Sequence, residues 1–284
     1  MAIILDGKAL AKKVRKRIKS EISELGIIPG LAVVLVGEDS ASAVYVRNKG
    51  RACKRSGIFS ETIRLPENAE EKELLQIIEK LNQNPKFHGI LVQLPLPKHI
   101  DETAVIDAIS PKKDVDGFHP HNIGLLQQGR PQFIPCTPKG IVELLKEHNI
   151  ETAGKHAVVL GRSQIVGIPA AILFSAKSIG NSTVTICHSA TKNIREIAKT
   201  ADILIAAIGR AEFVTAEFVK NGAVVVDVGI NRIEKNDESK LVGDVKFEEV
   251  SKIASAITPV PGGVGPMTIA MLLENTLISA KSNL

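Results

Sequence analysis

Apolar residues along this chain return in two alternating rhythms. Short runs rich in valine, leucine and isoleucine, such as LAVVLVG at 31–37, HGILVQLPLP at 88–97 and AVVVDVG at 223–229, are separated by longer stretches. In those stretches apolar positions recur every three or four residues. The first rhythm fits buried strands and the second amphipathic helices. Strands are predicted at 31–36, 60–65, 88–94, 157–160, 183–187, 203–206, 223–227 and 255–258. Helices are predicted at about 8–25, 40–56, 69–83, 137–149, 165–179, 193–200 and 246–252. Such alternation implies an α/β fold with parallel sheets and helices on both faces. The stretch DVDGFHPHNIGLLQQGRPQFIPCTP at 114–138 has neither rhythm and separates two α/β series. A domain junction is expected near its end, with the two domains facing each other across a cleft.

Composition narrows the class. At 284 residues and 44% apolar content, the chain can bury a substantial core in one large or two ordinary domains. Its apolar runs are too short to cross a bilayer. The N-terminus, MAIILDGKALAKKVRKRIKSE, carries charges where a signal peptide needs a longer apolar stretch. Cys53, Cys136 and Cys187 show no disulfide or metal spacing, which predicts reduced thiols, no metal and a cytoplasmic setting. A net charge of +5 permits an anionic partner. The basic residues are scattered, however, and one tyrosine and eight phenylalanines offer little surface for base stacking. The cluster KKVRKRIK at 12–19 alternates with apolar residues and reads as the solvated side of a helix. Small anionic ligands therefore explain the charge without nucleic acid or membrane.

The stretch HAVVLGRSQIVGIPAAILF at 156–174 reads as strand, tight turn and helix. Gly161, Ser163 and Gly167 occupy the small-residue positions of a dinucleotide loop. Gly161 turns the chain, Ser163 lets backbone approach a pyrophosphate, and Gly167 lets the helix sit close to the sheet. An ordinary βα turn would look similar. The next strand ends in His188 and Ser189, with no carboxylate to take a ribose 2′-hydroxyl. Arg162 lies inside the turn, where a guanidinium suits a 2′-phosphate. The combination predicts NADP on a Rossmann-like domain. Gly229 and Ile230 fall at another strand end on the same face, and Asp227 reads as structural.

In the first series, Tyr45 and Lys49 are four apart and share a helix face. Alone, the pair reads more readily as a half-buried tyrosine beside a solvated lysine. Gln93 interrupts an apolar strand just before two prolines, so its amide needs partners or a polar pocket. Asp116 follows in KDVDGFHP, where a turn-forming role is the competing reading. Near the C-terminus, PVPGGVGPMT at 259–268 concentrates proline and glycine ahead of an apolar helix.

Taken in order, YVRNK, GILVQLPLP, KDVDGFHP, PCTPKGIVELL, GRSQIVGIP and PVPGGVGPMT resemble the bifunctional methylenetetrahydrofolate dehydrogenase/cyclohydrolase family over essentially the whole chain. The resemblance implies NADP-dependent oxidation of 5,10-methylenetetrahydrofolate, hydrolysis of the product to 10-formyltetrahydrofolate, and a homodimer. It implies catalytic roles for Lys49, Gln93, Tyr45 and Asp116. Substrate would be lined by Tyr45, Val46, Lys49, Val92, Gln93, Leu94 and Asp116. The loop Pro261, Gly262, Gly263, Val264, Gly265, Pro266, Met267, Thr268 and Ile269 would add bare backbone beside the pterin. Gly161, Arg162, Ser163, Ser189 and Ile230 would hold NADP. The helix after the loop would return the chain to the first domain, giving a folate-binding domain of residues 1–138 with 267–284 and an NADP-binding domain of 139–266. A shikimate-type oxidoreductase would share the turn at 161–167, yet gives no reason for VQLPLP and PVPGGVGPMT in one chain. An RNA-binding module rests on the basic charge alone.

Overall fold

The computed structural model describes residues 2–235 and 238–282. The chain forms two compact units, Met1–Ala11 with Thr137–Thr268 and Lys12–Cys136 with Ile269–Leu284. These bounds depart from the expected ones at the N-terminus. Strand β1 (Ile3–Ile4) pairs in parallel with β11 (Ala256–Ile257), and Leu5 N donates to Ile257 O at 2.9 Å. The first eleven residues therefore complete the later unit's sheet, although two strand residues carry no readable period.

The unit built on Lys12–Cys136 takes most of α1 (Gly7–Leu25), then β2 (Gly30–Val36), α2 (Ser40–Ser56), β3 (Phe59–Leu65), α3 (Glu71–Gln83) and β4 (Gly89–Val92). Its three strands run parallel in the order β3-β2-β4, with Val34 level with both Ile63 and Val92. All seven residues of central β2 are buried, which explains why its sequence is continuously apolar. Val34, Ile78, Ile90 and Val105 share the core beneath it. Helix α2 starts at Asp39, whose side chain accepts from Ser42 N at 2.7 Å, and stops at Gly57, with φ of 79°. Two further helices, α4 (Glu102–Ala108) and α5 (Pro120–Gln127), occupy stretches where no helix was expected. At barely two turns each they are too short to show a period. Local chemistry marks α5 instead: Pro120 stands in its first turn, and the His119 ring nitrogen accepts from His121 N at 3.0 Å.

In the other unit lie α6 (Cys136–Glu147), β5 (His156–Leu160), α7 (Gly167–Ser175), β6 (Thr183–Cys187), α8 (Ile194–Ala198), β7 (Ile203–Ala206), β8 (Val224–Asp227), β9 (Asn231–Lys235), β10 (Glu238–Val242) and α9 (Phe247–Val250). Six parallel strands stand in the order β1-β11-β8-β7-β5-β6. The order reverses at β5, with β6 on one side and β7 on the other. Ligands of open α/β sheets bind at the carboxyl edge of such a reversal. Leu160 is level with Cys187 and Ala206, and Ala206 with Asp227, so four carboxyl ends are aligned. Strands β9 and β10 form a separate antiparallel pair that the sequence reading missed; Asn236 and Asp237 lie outside the described residues. Among the described residues no helix is long and apolar enough to cross a membrane.

Helix α10 (Val264–Lys281) carries the chain into the unit built on Lys12–Cys136. There fully buried Asn275 donates from Nδ2 to Val115 O at 2.8 Å and to Ile134 O at 3.0 Å. Val115 O also accepts from the Cys136 thiol at 3.3 Å, so Ile134 O depends more on the amide. Asn275→Ala is expected to lower stability by about 1–3 kcal/mol, the cost of a buried acceptor losing its donor. Urea denaturation midpoints measure this, and an unchanged midpoint would contradict it.

Candidate active site and cofactor edge

Tyr45 and Lys49 lie one turn apart on α2. The tyrosine is half-buried, and burial raises its phenol pKa. Lys49 is only 8% exposed, and its Nζ donates to Gln93 Oε1 at 3.0 Å. Strand β4 ends one residue before Gln93. The Gln93 backbone nevertheless extends the ladder, its N–H donating to Val34 O at 2.9 Å. Gln93 Nε2 donates to Leu94 O at 2.6 Å, which leaves the amide oxygen for the lysine. The amide that interrupted an apolar strand thus has partners on both ends.

The turn after α4 separates two aspartates with different tasks. Asp114 Oδ1 accepts from Gly117 N and Phe118 N at 3.1 and 3.2 Å, and Oδ2 from His119 N and Asn122 Nδ2, both at 2.8 Å. Asp114 is therefore the turn-former, the role weighed at the sequence level for Asp116. Gly117, with φ of 79°, lets the turn press on the chain opposite, since a Cβ there would stand 2.9 Å from Pro135 N. The Asp116 carboxyl is left to the Lys49 side. Burial pushes its pKa up to about 6. The Lys49 charge pulls it down, nearby Asp114 raises it, and a hydrogen bond from the Cys136 thiol lowers it. Asp116 as a residue keeps partial exposure, so the desolvation belongs to the carboxyl itself. Cys136 stood in a quoted motif, but nothing in sequence linked its thiol to Asp116.

The remaining residues of the expected substrate set divide. Val46 and Val92 are buried, so their side chains serve the core, while Leu94 is half-buried. In the proline- and glycine-rich loop, Val264 and Met267 are buried, and a Cβ at Gly140 would stand 2.8 Å from Met267 Cβ. Gly263 is buried too, its N–H donating to Pro259 O at 2.8 Å. The side chains of Val264 and Met267 and the Gly263 backbone are thus packed within the protein. Pro261 is exposed, and Gly262, Gly265, Pro266, Thr268 and Ile269 are half-exposed. Close packing explains part of the glycine content: a Cβ at Gly7 would fall 1.8 Å from Gly263 O, and Lys8 N donates to Gly262 O at 2.9 Å. Pro261 through Thr268 belong to the unit with the six-stranded sheet, and Ile269 to the unit with Lys49.

At the carboxyl edge of that sheet, Gly161 has φ of 115°, and a Cβ there would lie 2.1 Å from Ala207 O. A Cβ at Gly167 would lie 2.4 Å from Gly161 O. Both glycines are thus required by close backbone approach, as the sequence reading held. Ser163 does more than stay small. Its Oγ accepts from Val166 N and Gly167 N at 3.2 and 3.3 Å, so it gives two N–H groups at the helix start an acceptor. Arg162 and Ser189 are exposed, and Ile230 is 45% exposed, each just beyond the end of an aligned strand. The narrow glycine turn with an exposed guanidinium fits a phosphorylated dinucleotide. Asp227 is buried and accepts three backbone N–H groups, from Gly229, Asp244 and Val245, consistent with a structural role.

The raised Asp116 pKa has a consequence for stability. The native state holds this proton above the ordinary value of 3.8, up to about 6. Its contribution is fully present below 3.8 and is lost as pH rises through about 6. Asp116→Asn is expected to flatten the fall in stability across that window. Denaturation midpoints at intervals from acid to neutral pH test this; parallel curves for the two proteins would contradict it.

Two family models match the chain, the tetrahydrofolate dehydrogenase/cyclohydrolase catalytic domain over residues 5–116 and the NAD(P)-binding domain of the same family over 135–284. The bifunctional protein FolD of Streptococcus thermophilus is 57% identical over 288 residues, covering 100% of this chain and 99% of the relative. Among solved structures, the bifunctional FolD methylenetetrahydrofolate dehydrogenase/cyclohydrolase of Campylobacter jejuni is similar with a TM-score of 0.94, at 49% identity and with 100% of both chains covered. The Trypanosoma brucei methylenetetrahydrofolate dehydrogenase-cyclohydrolase, complexed with NADP cofactor and inhibitor, also has a TM-score of 0.94, at 39% identity over 99% of this chain and 98% of the other. With a lysine–amide pair in one unit and a glycine phosphate turn in the other, this chain belongs to the tetrahydrofolate dehydrogenase/cyclohydrolase family.

Proposed function

We propose that this bifunctional enzyme uses Lys49 for proton transfer in the hydrolytic step and the carboxyl edge of its six-stranded sheet for NADP. The enzyme oxidises 5,10-methylenetetrahydrofolate to 5,10-methenyltetrahydrofolate and hydrolyses that product to 10-formyltetrahydrofolate. The observation that carries the residue assignment is the buried Lys49 Nζ held 3.0 Å from Gln93 Oε1 and close enough to Asp116 to lower its pKa.

When bound, NADP⁺ supplies the hydride acceptor. The protein's task in that step is alignment. Tyr45, with its phenol kept protonated by burial, stacks on or hydrogen-bonds the folate. Asp116 accepts from adjacent pterin N–H groups, a pairing that needs the carboxylate. At neutral pH, above its pKa of about 6, Asp116 is mostly in that form. Pro261, Gly262, Gly265 and Pro266 offer backbone without bulky side chains. Arg162 takes the 2′-phosphate, and Ser189 and Ile230 flank the cofactor.

In hydrolysis, water adds through its oxygen to the methenyl carbon and gives up one proton. The hydroxyl loses its proton as C=O forms, while N5 gains one as its bond to that carbon breaks. Lys49 Nζ carries these protons, and Gln93 fixes its direction. One proton is released overall. Cys53, Cys136 and Cys187 are buried and outside any disulfide, which suits a reducing cytoplasm. A homodimer through the cofactor-binding unit is part of the same reading, since edge strand β6 exposes Ile186 there. Nucleic acid has no part in it.

A spectrophotometric assay with methylenetetrahydrofolate is expected to show cofactor reduction with NADP⁺ and accumulation of 10-formyltetrahydrofolate; neither signal appearing would refute the activity. Lys49→Met is expected to lower hydrolysis of supplied methenyltetrahydrofolate by about 100-fold or more while NADP⁺ still binds. Near-normal hydrolysis would remove Lys49 from its role. Arg162→Ala is expected to weaken NADP⁺ by about tenfold or more, the scale of one charge-assisted hydrogen bond, and NAD⁺ far less. Equal losses for both cofactors in binding titrations would refute the 2′-phosphate contact.

A further inference from the structure

One buried carboxylate that the proposed chemistry does not use ties together two turns at the carboxyl edge of the six-stranded sheet. Asp244 is fully buried. Its Oδ2 accepts the N–H groups of Ile208 and Gly209 at 2.6 and 2.9 Å. Its Oδ1 accepts from Arg210 N and from Asn231 Nδ2, each at 2.9 Å. Residues 208–210 follow β7, and Asn231 follows Ile230 beyond β8. A single side chain therefore fixes the exits of two neighbouring strands.

The placement of Asp244 is itself determined by a second carboxylate. Asp227 Oδ1 accepts from Asp244 N at 2.9 Å and Gly229 N at 3.0 Å, and Oδ2 from Val245 N at 2.9 Å. Two glycines make room for this arrangement. A Cβ at Gly229 would lie 2.2 Å from Asp244 Oδ1, and one at Gly243 would lie 1.8 Å from Asp227 Oδ2. The segment that Asp244 anchors also walls the phosphate turn: Ala207 N donates to Leu160 O at 2.8 Å, and Ala207 O bars any side chain at Gly161.

We infer that Asp244 is a positioning residue of the cofactor site, holding the Ile208–Arg210 and Gly229–Asn231 turns at the spacing a dinucleotide requires. This rests on the reading that NADP binds this edge. All four partners of Asp244 are N–H donors, so only a group that accepts at both oxygens satisfies them. An asparagine would direct its own N–H₂ at some of those donors, and the turns would separate.

The hydrolytic step uses no cofactor, and the Lys49 and Gln93 proposed to carry and direct its protons lie in the other unit. A positioning role therefore predicts a split that general destabilisation would not produce. Asp244→Asn is expected to raise the NADP⁺ dissociation constant and KM at least tenfold, with hydrolysis of supplied methenyltetrahydrofolate falling less than threefold. NADP⁺ affinity within twofold of wild type, or both activities falling in parallel, would overturn the inference. Should Asp244→Asn fail to fold, Asn231→Leu removes one donor and is expected to weaken NADP⁺ at least threefold with the same split; unchanged affinity there would overturn it equally. Arg162→Ala in the same titration separates two failures. Normal NADP⁺ affinity in Arg162→Ala refutes the cofactor edge itself. Weakened binding in that variant beside normal binding in Asp244→Asn refutes only the role of Asp244.

Discussion

Keeping a lysine nitrogen inside a protein requires polar groups held in place around it. Here Gln93 accepts its hydrogen bond and the Asp116 carboxyl lies within its electrostatic reach, and much of the surrounding unit holds those two groups. Gln93 is fixed because its backbone prolongs β4 by one hydrogen bond to Val34 and its own amide nitrogen is occupied by Leu94 O. Asp116 is fixed because Asp114 gathers three backbone N–H groups and Asn122 around one turn. Lys49 in turn lowers the pKa of a carboxyl that burial raises. Each of the three polar groups thereby reduces the cost of burying the others.

A second regularity links the two units. Asp114, Asp227 and Asp244 are all buried, and each has backbone N–H groups among its donors rather than a cationic side chain. Backbone donors in turns have few other partners, and a carboxylate accepts several at once. The three residues act as knots that fix loops, Asp114 between α4 and α5 and the other two at strand ends, where spacing must hold without help from the sheet ladder. Glycines recur beside them for the same reason. Gly117, Gly229 and Gly243 let a second segment come within reach where any side chain would collide.

The proline- and glycine-rich loop shows how one composition serves two demands. Gly263 and Gly7 allow close packing between the loop and the start of α1, while Val264 and Met267 anchor it from beneath. Pro261, Gly262, Gly265 and Pro266 remain accessible. From sequence the whole stretch looked like ligand surface, because glycine required by packing and glycine required by a ligand are the same letter.

Local physics made a good part of the molecule legible. The apolar runs of β2, β4, β5, β7 and β8 lie on strands because burial on both faces of a parallel sheet demands continuous β-branched and aliphatic residues, whereas the edge strands β3 and β6 keep polar residues and are largely exposed. The turn at 161–167 announced itself because close backbone approach admits only glycine at its ends. Gln93 stood out as a polar group in a stretch that should be buried, whereas Lys49 alone read as a solvated residue and took its expected role from the family resemblance. Contacts distant along the chain decided the rest. Pairing of Ile3–Ile4 with Ala256–Ile257 moved the N-terminus into the other unit. The division of labour between Asp114 and Asp116, two residues apart, depended on which carboxyl met the backbone and which met Lys49. The thiol of Cys136 and the carboxylate of Asp244 acquired meaning only from neighbours distant along the chain, since hydrogen bonds depend on distance in space and leave no period in the sequence.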